Sequence, residues 1–264
     1  TTGKKDMFKP DKQGLISSLS TVLLQEMQRF NRLLTVMRTS LVQLKKAIKG
    51  FIVMSQELDS MYLSIQNGQV PMNWDAVAYP SLKPLTSWFK DLTARVAFMQ
   101  DWLQNGHPNS FWLSGFFFPQ GFMTGCLQTH ARNYKIAIDK LSFAFQVMQE
   151  EEPTEIEESP EDGVYIYGLF MDGARWDREN QQIADQFPGE MYNKMPLIWF
   201  KPQEDYKSDP DEYACPIYKT SVRQGMLSTT GQSTNFIVAV DVPTKENPKV
   251  WTLRAAAMLC QLND

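Results

Sequence analysis

Two histidines and three cysteines limit the chemistry that this sequence could perform. Cys126 and His130 stand four residues apart in a segment expected to be helical, a spacing that would place two metal ligands on one helix face. A zinc site needs a third protein ligand, and neither His107 nor the other cysteines has a matching spacing. A Cys–His nucleophile also needs a third group to orient the histidine, and none is indicated. We therefore predict no metal site and no catalytic residue.

Sequence patterns of nucleotide-binding loops are absent as well. A phosphate-binding loop carries GxxxxGK(S/T), in which backbone amides and the lysine hold the phosphates, and the sequence has neither this pattern nor GxGxxG. Residues 225–234 are rich in Ser, Thr and Gly but contain no lysine, which is typical of a turn between strands. We therefore predict that these 264 residues bind no cofactor.

A short segment at 173–178, with the sequence GARWDR, brings two guanidinium groups, an indole and a carboxylate together. Arg175, Trp176 and Arg178 could form a site for an anion or a peptide, because guanidinium groups bind carboxylates and phosphates in a bidentate manner. The alternative is a packed corner in which an arginine stacks on the tryptophan and pairs with Asp177. Both interpretations stay open, and the three residues are candidates for an interaction site.

The first long helical segment has a strongly basic surface. It carries one acid, Glu26, against six basic residues: Arg29, Arg32, Arg38, Lys45, Lys46 and Lys49. The three lysines at its end could complement the negative end of the helix dipole. The outward-facing Arg32, Arg38, Lys45 and Lys46 are predicted to contact an acidic surface, either the acidic second half of the protein or a neighbouring module. Nucleic-acid binding is disfavoured by the isoelectric point of 5.4.

Composition and charge place these residues in a folded protein with two electrostatically opposite halves. The sequence has 264 residues, 43% hydrophobic and 21% charged, enough for a core without disulfides. Residues 1–149 carry 16 basic against 9 acidic residues, and residues 150–264 carry 10 against 21. The longest apolar run has six residues, 255–260, whereas a membrane-spanning helix needs about 20. Three widely spaced cysteines fit a reducing compartment, and the start without Met suggests a fragment of a longer polypeptide.

The first half is predicted to be helical. The apolar residues of the first helix follow alternating spacings of four and three: Leu23, Met27, Phe30, Leu34, Met37, Leu41, Leu44 and Ile48. A second helix ends at Asn67–Gly68. A third is predicted to follow an N-cap at Thr86 and to reach Asn105–Gly106. A fourth begins at Pro119, which suits a first helical turn, and reaches about Tyr134.

After residue 140 the apolar period changes from about 3.6 to two, as in half-buried strands. Six strands are predicted, at 141–147, 164–170, 195–200, 214–220, 235–242 and 255–262. A helix is predicted between the second and third strands, at 177–187. The predicted fold is α+β, with an N-terminal helical bundle at 17–140 followed by an incomplete antiparallel β-barrel at 141–264. The stretch 149–162, crowded with Glu and Pro, is predicted to be an exposed acidic loop.

Several long strings in the sequence resemble the C-terminal region of dynein heavy chains. They are QEMQRFN at 25–31, FWLSGFFFPQ at 111–120, GVYIYGLF at 163–170, GARWD at 173–177, CPIYKT at 215–220 and STTG at 228–231. Their order and spacing also agree, and the resemblance extends from about residue 17 to residue 262. The GARWD string resembles axonemal rather than cytoplasmic heavy chains.

This resemblance implies a module without catalytic residues, whose parent is a microtubule-dependent ATPase in the axoneme of cilia and flagella. ATP and magnesium would bind elsewhere in that parent. The module would lie on the AAA+ ring, with residues 1–16 as a linker from the preceding ring module, and would tune minus-end-directed movement on microtubules. Its direct partners would be ring modules of the same heavy chain, not nucleic acid or membrane. The alternative is a ligand-binding or enzymatic barrel, which would need a cavity with convergent polar groups inside the sheets.

Overall fold

The computed structural model describes residues 7–10, 12, 14–223 and 233–263. The predicted turn at 225–234, except its last two residues, the STTG string and part of the predicted linker therefore lie outside the described residues. The helical part begins with five helices: α1 (Ser18–Ile48), α2 (Gln56–Gln66), α3 (Met72–Asp75), α4 (Leu85–Asn105) and α5 (Pro119–Tyr134). No helix among the described residues is long and apolar enough to cross a membrane.

Several helix ends follow the local sequence signals, but the N-cap predicted at Thr86 is wrong, because α4 begins at Leu85 directly after Pro84. Ser55 caps α2, where its hydroxyl accepts a hydrogen bond from the Leu58 amide at 3.3 Å. Gly106, with a φ of +95°, ends α4, and proline occupies the first turn of α5 as predicted. The α1–α2–α4–α5 arrangement therefore agrees with the helical half that the sequence predicts.

Helix α1 buries a different stripe from the predicted one. Its buried residues after the first turns are Leu23, Glu26, Phe30, Leu33, Met37, Ser40, Leu44 and Ala47. Four of these belong to the predicted stripe, but Leu34, Leu41 and Ile48 are exposed. The other helices pack on the side of Leu33 and Ser40, where the Trp74 indole donates to the Ser40 hydroxyl at 2.9 Å. Two adjacent stripes have the same alternating spacing, so periodicity alone could not choose between them.

The strands of the described residues are short and form three sheets. In sequence order they are β1 (Ser110–Trp112), β2 (Leu141–Val147), β3 (Val164–Tyr167), β4 (Phe170–Asp172), β5 (Arg175–Asp177), β6 (Gln182–Ala184), β7 (Tyr192–Lys194), β8 (Ile198–Glu204), β9 (Tyr213–Tyr218), β10 (Phe236–Val242) and, after the short helix α6 (Pro248–Leu253), β11 (Ala257–Leu259). The sheet orders are β1–β3–β8–β2, β10–β9–β11–β4–β7 and β5–β6.

The α+β class is confirmed, but the predicted incomplete antiparallel barrel of about six strands is not found. Among the described residues the strands form separate sheets without closing a barrel, and two pairings are parallel, β1 with β3 and β11 with β9. One cause is Gly168, which has a φ of +84° and splits the predicted strand 164–170 into β3 and β4. A Cβ atom on Gly168 would lie 2.5 Å from Cδ1 of Trp112, so both the bend and this close approach require glycine.

The helix predicted at 177–187 is wrong, because β5 and β6 pair there as an antiparallel hairpin. Asp177 ends β5, and its carboxylate accepts hydrogen bonds from the backbone amides of Glu179 and Asn180 at 3.2 and 3.3 Å. This local bonding stabilises a turn in place of a helix. Gln181, with a φ of +51°, completes the reversal.

One continuous apolar core connects the helices and the sheets. Phe116 stacks on Phe122 with a centroid distance of 4.4 Å, and Trp102 of α4 meets Phe111 of β1 edge to face at 5.2 Å. Such aromatic pairs each add about 0.5–1.5 kcal/mol to the burial of their area. The aromatic residues around 111–122 thus hold α4 and α5 against the first sheet, of which β1 is the edge strand. The subdomain boundary at residue 140 stays a prediction.

Candidate interaction surfaces

The four outward basic residues of α1 are all exposed: Arg32, Arg38, Lys45 and Lys46. Among the residues that the structure describes, no carboxylate lies within ion-pairing distance of any of them. At about 100° per residue, Arg38 and Lys45 share a flank of α1 with the exposed Leu34 and Leu41. That flank therefore presents alternating apolar and basic side chains to its surroundings.

In the GARWDR segment Trp176 is buried, whereas Arg178 is half exposed. The Arg175 guanidinium lies 4.2 Å from the centre of the Phe187 ring and 3.8 Å from the Asp177 carboxylate. Trp176 is buried, and Arg178 pairs with Glu151. Arg175 therefore pairs with Asp177 as the packed-corner alternative expects, but its guanidinium lies over Phe187 rather than over the tryptophan. The use of these three residues as an interaction site stays a prediction.

Residues 148–163, which the structure describes without a gap, contain one 3₁₀ turn, Pro153–Glu155, and mostly exposed side chains. Ion pairs and hydrogen bonds attach this acidic segment to the fold: Glu151 pairs with Arg178 and Glu152 pairs with Lys194. Backbone amides of Glu152 and Glu151 donate to the Glu155 carboxylate and lower its pKa. The Asn109 amide group donates to the Glu157 carbonyl at 2.7 Å. The segment is therefore exposed but anchored.

We expect the double variant Arg178→Ala, Lys194→Ala to be cut faster by a Glu-specific protease at 150–158. Both ion pairs are about half exposed, so their loss should lower the free energy of unfolding by no more than about 1 kcal/mol each while it releases the segment. The matched control is Lys207→Ala, Lys249→Ala, which removes two exposed basic residues that belong to neither ion pair. Equal cleavage rates in the two variants would show that these pairs do not restrain the segment.

His130 of the Cys126–His130 pair contacts a carboxylate that the sequence spacing did not reveal. Asp162 lies 3.2 Å from Nδ1 of His130, and its other carboxylate oxygen accepts a hydrogen bond from the Tyr134 hydroxyl at 3.0 Å. Cys126 is buried, however, and this burial raises the pKa of its thiol far above the ordinary value, so the thiolate that a nucleophile requires is disfavoured. Within the described part of the protein, no three His, Cys, Asp or Glu residues come together as metal ligands would.

Two buried charged residues lie at the junction of the helices and sheets, and the sequence analysis predicted the burial of neither. Glu26 of α1, 2% exposed, accepts hydrogen bonds from the Phe117 and Phe118 amides at 2.5 and 3.0 Å, just before α5 begins. Arg95 of α4 is 1% exposed and pairs with Asp91 at 2.6 Å. A sequence signal existed, because each charged residue occupies a position in the buried stripe of its helix.

The interior of the sheets is filled with apolar side chains, including Ile166, Met171, Phe200, Ile217 and Met258, each without measurable exposure. An open groove of about 1140 Å³ lies beside Ser17, His107 and Arg132 in the helical part, away from the interior of the sheets. The void beside Arg95 has room for about one water molecule, about 10 Å³. This arrangement does not favour a ligand-binding barrel, which needs polar groups converging on an interior cavity.

Comparison with known proteins agrees with the resemblance found in the sequence. The family model for the C-terminal domain of the dynein heavy chain matches residues 3–260. The protein is 48% identical to human dynein axonemal heavy chain 6 over 98% of its length, and 51% identical to human dynein axonemal heavy chain 1 over 93%. It is 49% identical to human dynein axonemal heavy chain 12 over 94%.

The 264 residues span only a small share of these relatives, 7%, 6% and 8% of their respective lengths. The family model nevertheless spans nearly all of the sequence, and the relatives named above are axonemal. The protein therefore belongs to the family of C-terminal domains of dynein heavy chains and is a C-terminal region of the axonemal type.

Proposed function

We propose that this protein is a non-catalytic module that packs on the AAA+ ring of an axonemal dynein heavy chain and tunes its minus-end-directed movement on microtubules in cilia. The observation that carries the proposal is the combination of a family match over residues 3–260 with sheets whose interior is apolar and filled. The exposed basic flank of α1 supplies a surface for acidic groups of the ring. Because exposed ion pairs contribute about 0.2–1 kcal/mol each, this flank would orient the module more than it would hold it.

Removal of the module from a full-length heavy chain tests the proposal. We expect the truncated motor to glide microtubules with a velocity or a stall force different from those of the intact motor, while its microtubule-binding region remains intact. Charge reversal of Arg32, Arg38, Lys45 and Lys46 to Glu should change the same quantities and leave the melting temperature of the isolated module near that of the parent, because exposed substitutions change stability by about 0.5 kcal/mol or less each. Unchanged velocity and stall force after truncation would refute the proposal.

We further expect the isolated module to neither bind nor hydrolyse ATP, since its sequence has no phosphate-binding loop. Isothermal titration calorimetry with Mg-ATP measures the binding directly. Binding with micromolar affinity would contradict a non-catalytic module and would reopen the alternative of a ligand-binding domain.

A further inference from the structure

Two Asn–Gly pairs occur in the sequence, Asn67–Gly68 and Asn105–Gly106, and each lies at the end of a helix. Asparagine is chemically labile, most of all before glycine, because glycine has no side chain to shield its backbone nitrogen. Both glycines have a positive φ, +68° and +95°, and a Cβ atom on either would meet no other part of the described residues within 4 Å. Both asparagines are exposed. The two pairs are therefore nearly equal in sequence and access, and their surroundings distinguish them.

The two carboxamide groups differ in their hydrogen bonds. The Asn105 amide group donates to the Asp101 carboxylate at 2.6 Å, and this bond restrains the side chain. The Asn67 carboxamide has no such partner among the residues that the structure describes. The Cγ atom of Asn67 can therefore rotate toward the Gly68 nitrogen, whereas Asn105 must first give up a hydrogen bond to a charged group.

Both glycine amides are hydrogen-bonded, so each pair can react only when its helix end opens. The Gly68 amide donates to the Ile65 carbonyl at 3.1 Å, and the Gly106 amide donates to the Trp102 carbonyl at 3.0 Å. Opening the last turn of α4 disturbs Trp102, whose side chain is buried without measurable exposure. The two buried residues of α2 both lie before its last turn. Local opening is easiest where few apolar contacts are lost, so the end of α2 should open more often than the end of α4.

We propose that Asn67 is a site of spontaneous deamidation and that Asn105 is protected from the same reaction. The Gly68 nitrogen attacks Cγ of Asn67 and gives up its proton, the carboxamide nitrogen leaves as ammonia, and the new C–N bond closes a cyclic imide. Water then opens the imide at one of its two carbonyls and leaves either aspartate or isoaspartate. The net reaction consumes one water and releases one ammonia, and it needs no oxidant, reductant or enzyme.

The reaction would loosen the junction between α2 and α4. It places a carboxylate at the C-terminus of α2, where the helix dipole disfavours negative charge. In isoaspartate the backbone also gains one atom between residues 67 and 68. The Gln69 amide donates to the Ser64 carbonyl at 2.8 Å, and the Gly68 carbonyl accepts from the Leu85 amide at 2.8 Å. The longer backbone cannot keep both bonds in their present register, so the modification acts as a slow, irreversible release of the start of α4 from the end of α2.

Peptide mapping of the full-length heavy chain tests the modification. After incubation at neutral pH and physiological temperature in ¹⁸O-labelled water, mass spectrometry should detect labelled aspartate and isoaspartate at position 67. The label separates conversion during the incubation from earlier conversion. Asn105 in the same molecule is the matched control and should convert more slowly by about tenfold or more. No labelled product at position 67, or a rate at Asn105 equal to or above that at Asn67, would overturn the proposal.

Two variants test the consequence for the junction. Asn67→Gln keeps an amide side chain, but its longer stem would have to close a six-membered ring, which forms far more slowly. After equal incubation, the Leu85 amide should exchange with deuterium about tenfold faster in the converted fraction of the unsubstituted chain than in Asn67→Gln, and Asn105→Gln should behave like the unsubstituted chain. Equal exchange in the converted chain and in Asn67→Gln would overturn the proposed release. Neither measurement depends on motor velocity, so both stand apart from the test of the proposed function.

Discussion

The variant Arg95→Ala should unfold with a free energy about 3–5 kcal/mol below that of the parent protein. The Arg95 guanidinium donates to the Asp91 carboxylate at 2.6 Å and to the Ser114 carbonyl. It also lies 3.8 Å from the centre of the Tyr79 ring and 5.5 Å from that of Trp112. Alanine would leave the Asp91 carboxylate, 11% exposed, without its cation and open a cavity between α4 and the turn after β1. Urea denaturation measures the loss.

Two further variants separate charge from shape at this position. Arg95→Lys keeps the positive charge but loses the planar fork that reaches both oxygens, so we expect an intermediate loss of stability. Lys90→Ala, which removes an exposed cation on the same helix, should change the free energy of unfolding by about 0.5 kcal/mol or less. A loss below about 1 kcal/mol for Arg95→Ala would mean that the site relaxes around the missing side chain and that Arg95 does not organise the junction.

Arg95 also shows that the sequence predicts the presence of a helix better than it predicts the helix's buried face. The helix α4 could be predicted, because Leu92 and Met99 keep helical spacing and Gly106 ends the run. The buried face could not, since the true stripe of Trp88, Leu92, Arg95, Met99 and Trp102 contains a charged residue that apolar patterns exclude. The same ambiguity affected α1, where Glu26 and Ser40 occupy buried positions. A charged residue in phase with an otherwise apolar stripe is the signal that would have identified both.

The sheets were harder to predict than the helices for a different reason. A helix bonds within one segment, so local spacing and capping residues specify most of it. Strand partners are distant in sequence, as in the pairing of β1 with β3 and of β11 with β9. The alternation at 164–170 indicated strands correctly, but only the closeness of Gly168 to Trp112 shows why the backbone turns there from one sheet to the next. Prediction of the surface candidates was limited for the same reason. The residue type identifies Arg178 as a cation, but only the folded structure shows that Glu151 is its partner.

Glu26→Ala is the second substitution with a large expected effect, a loss of about 3 kcal/mol in the free energy of unfolding. The Glu26 carboxylate accepts from the amides of Phe117 and Phe118, two donors that precede α5 and lose this acceptor in the variant. Hydrogen bonds to a charged group contribute about 1.5–3 kcal/mol each, and unsatisfied buried donors add a cost. Glu246→Ala, which removes an exposed carboxylate, is the matched control and should change stability by about 0.5 kcal/mol or less.

The pH dependence of Glu26→Gln distinguishes burial from hydrogen bonding at this site. Burial raises the pKa of Glu26 by more than the two amides and the nearby Arg29 and Arg95 lower it. The folded protein therefore keeps this proton at pH values at which the unfolded protein, with a glutamate pKa of about 4.3, releases it. The parent should accordingly lose stability relative to Glu26→Gln as the pH rises from about 4 through the raised pKa. Denaturation of both proteins across this range measures the difference. The opposite trend, with the parent gaining on the glutamine variant as the pH rises, would show that the two amide donors outweigh desolvation and that Glu26 is held as a carboxylate by the start of α5.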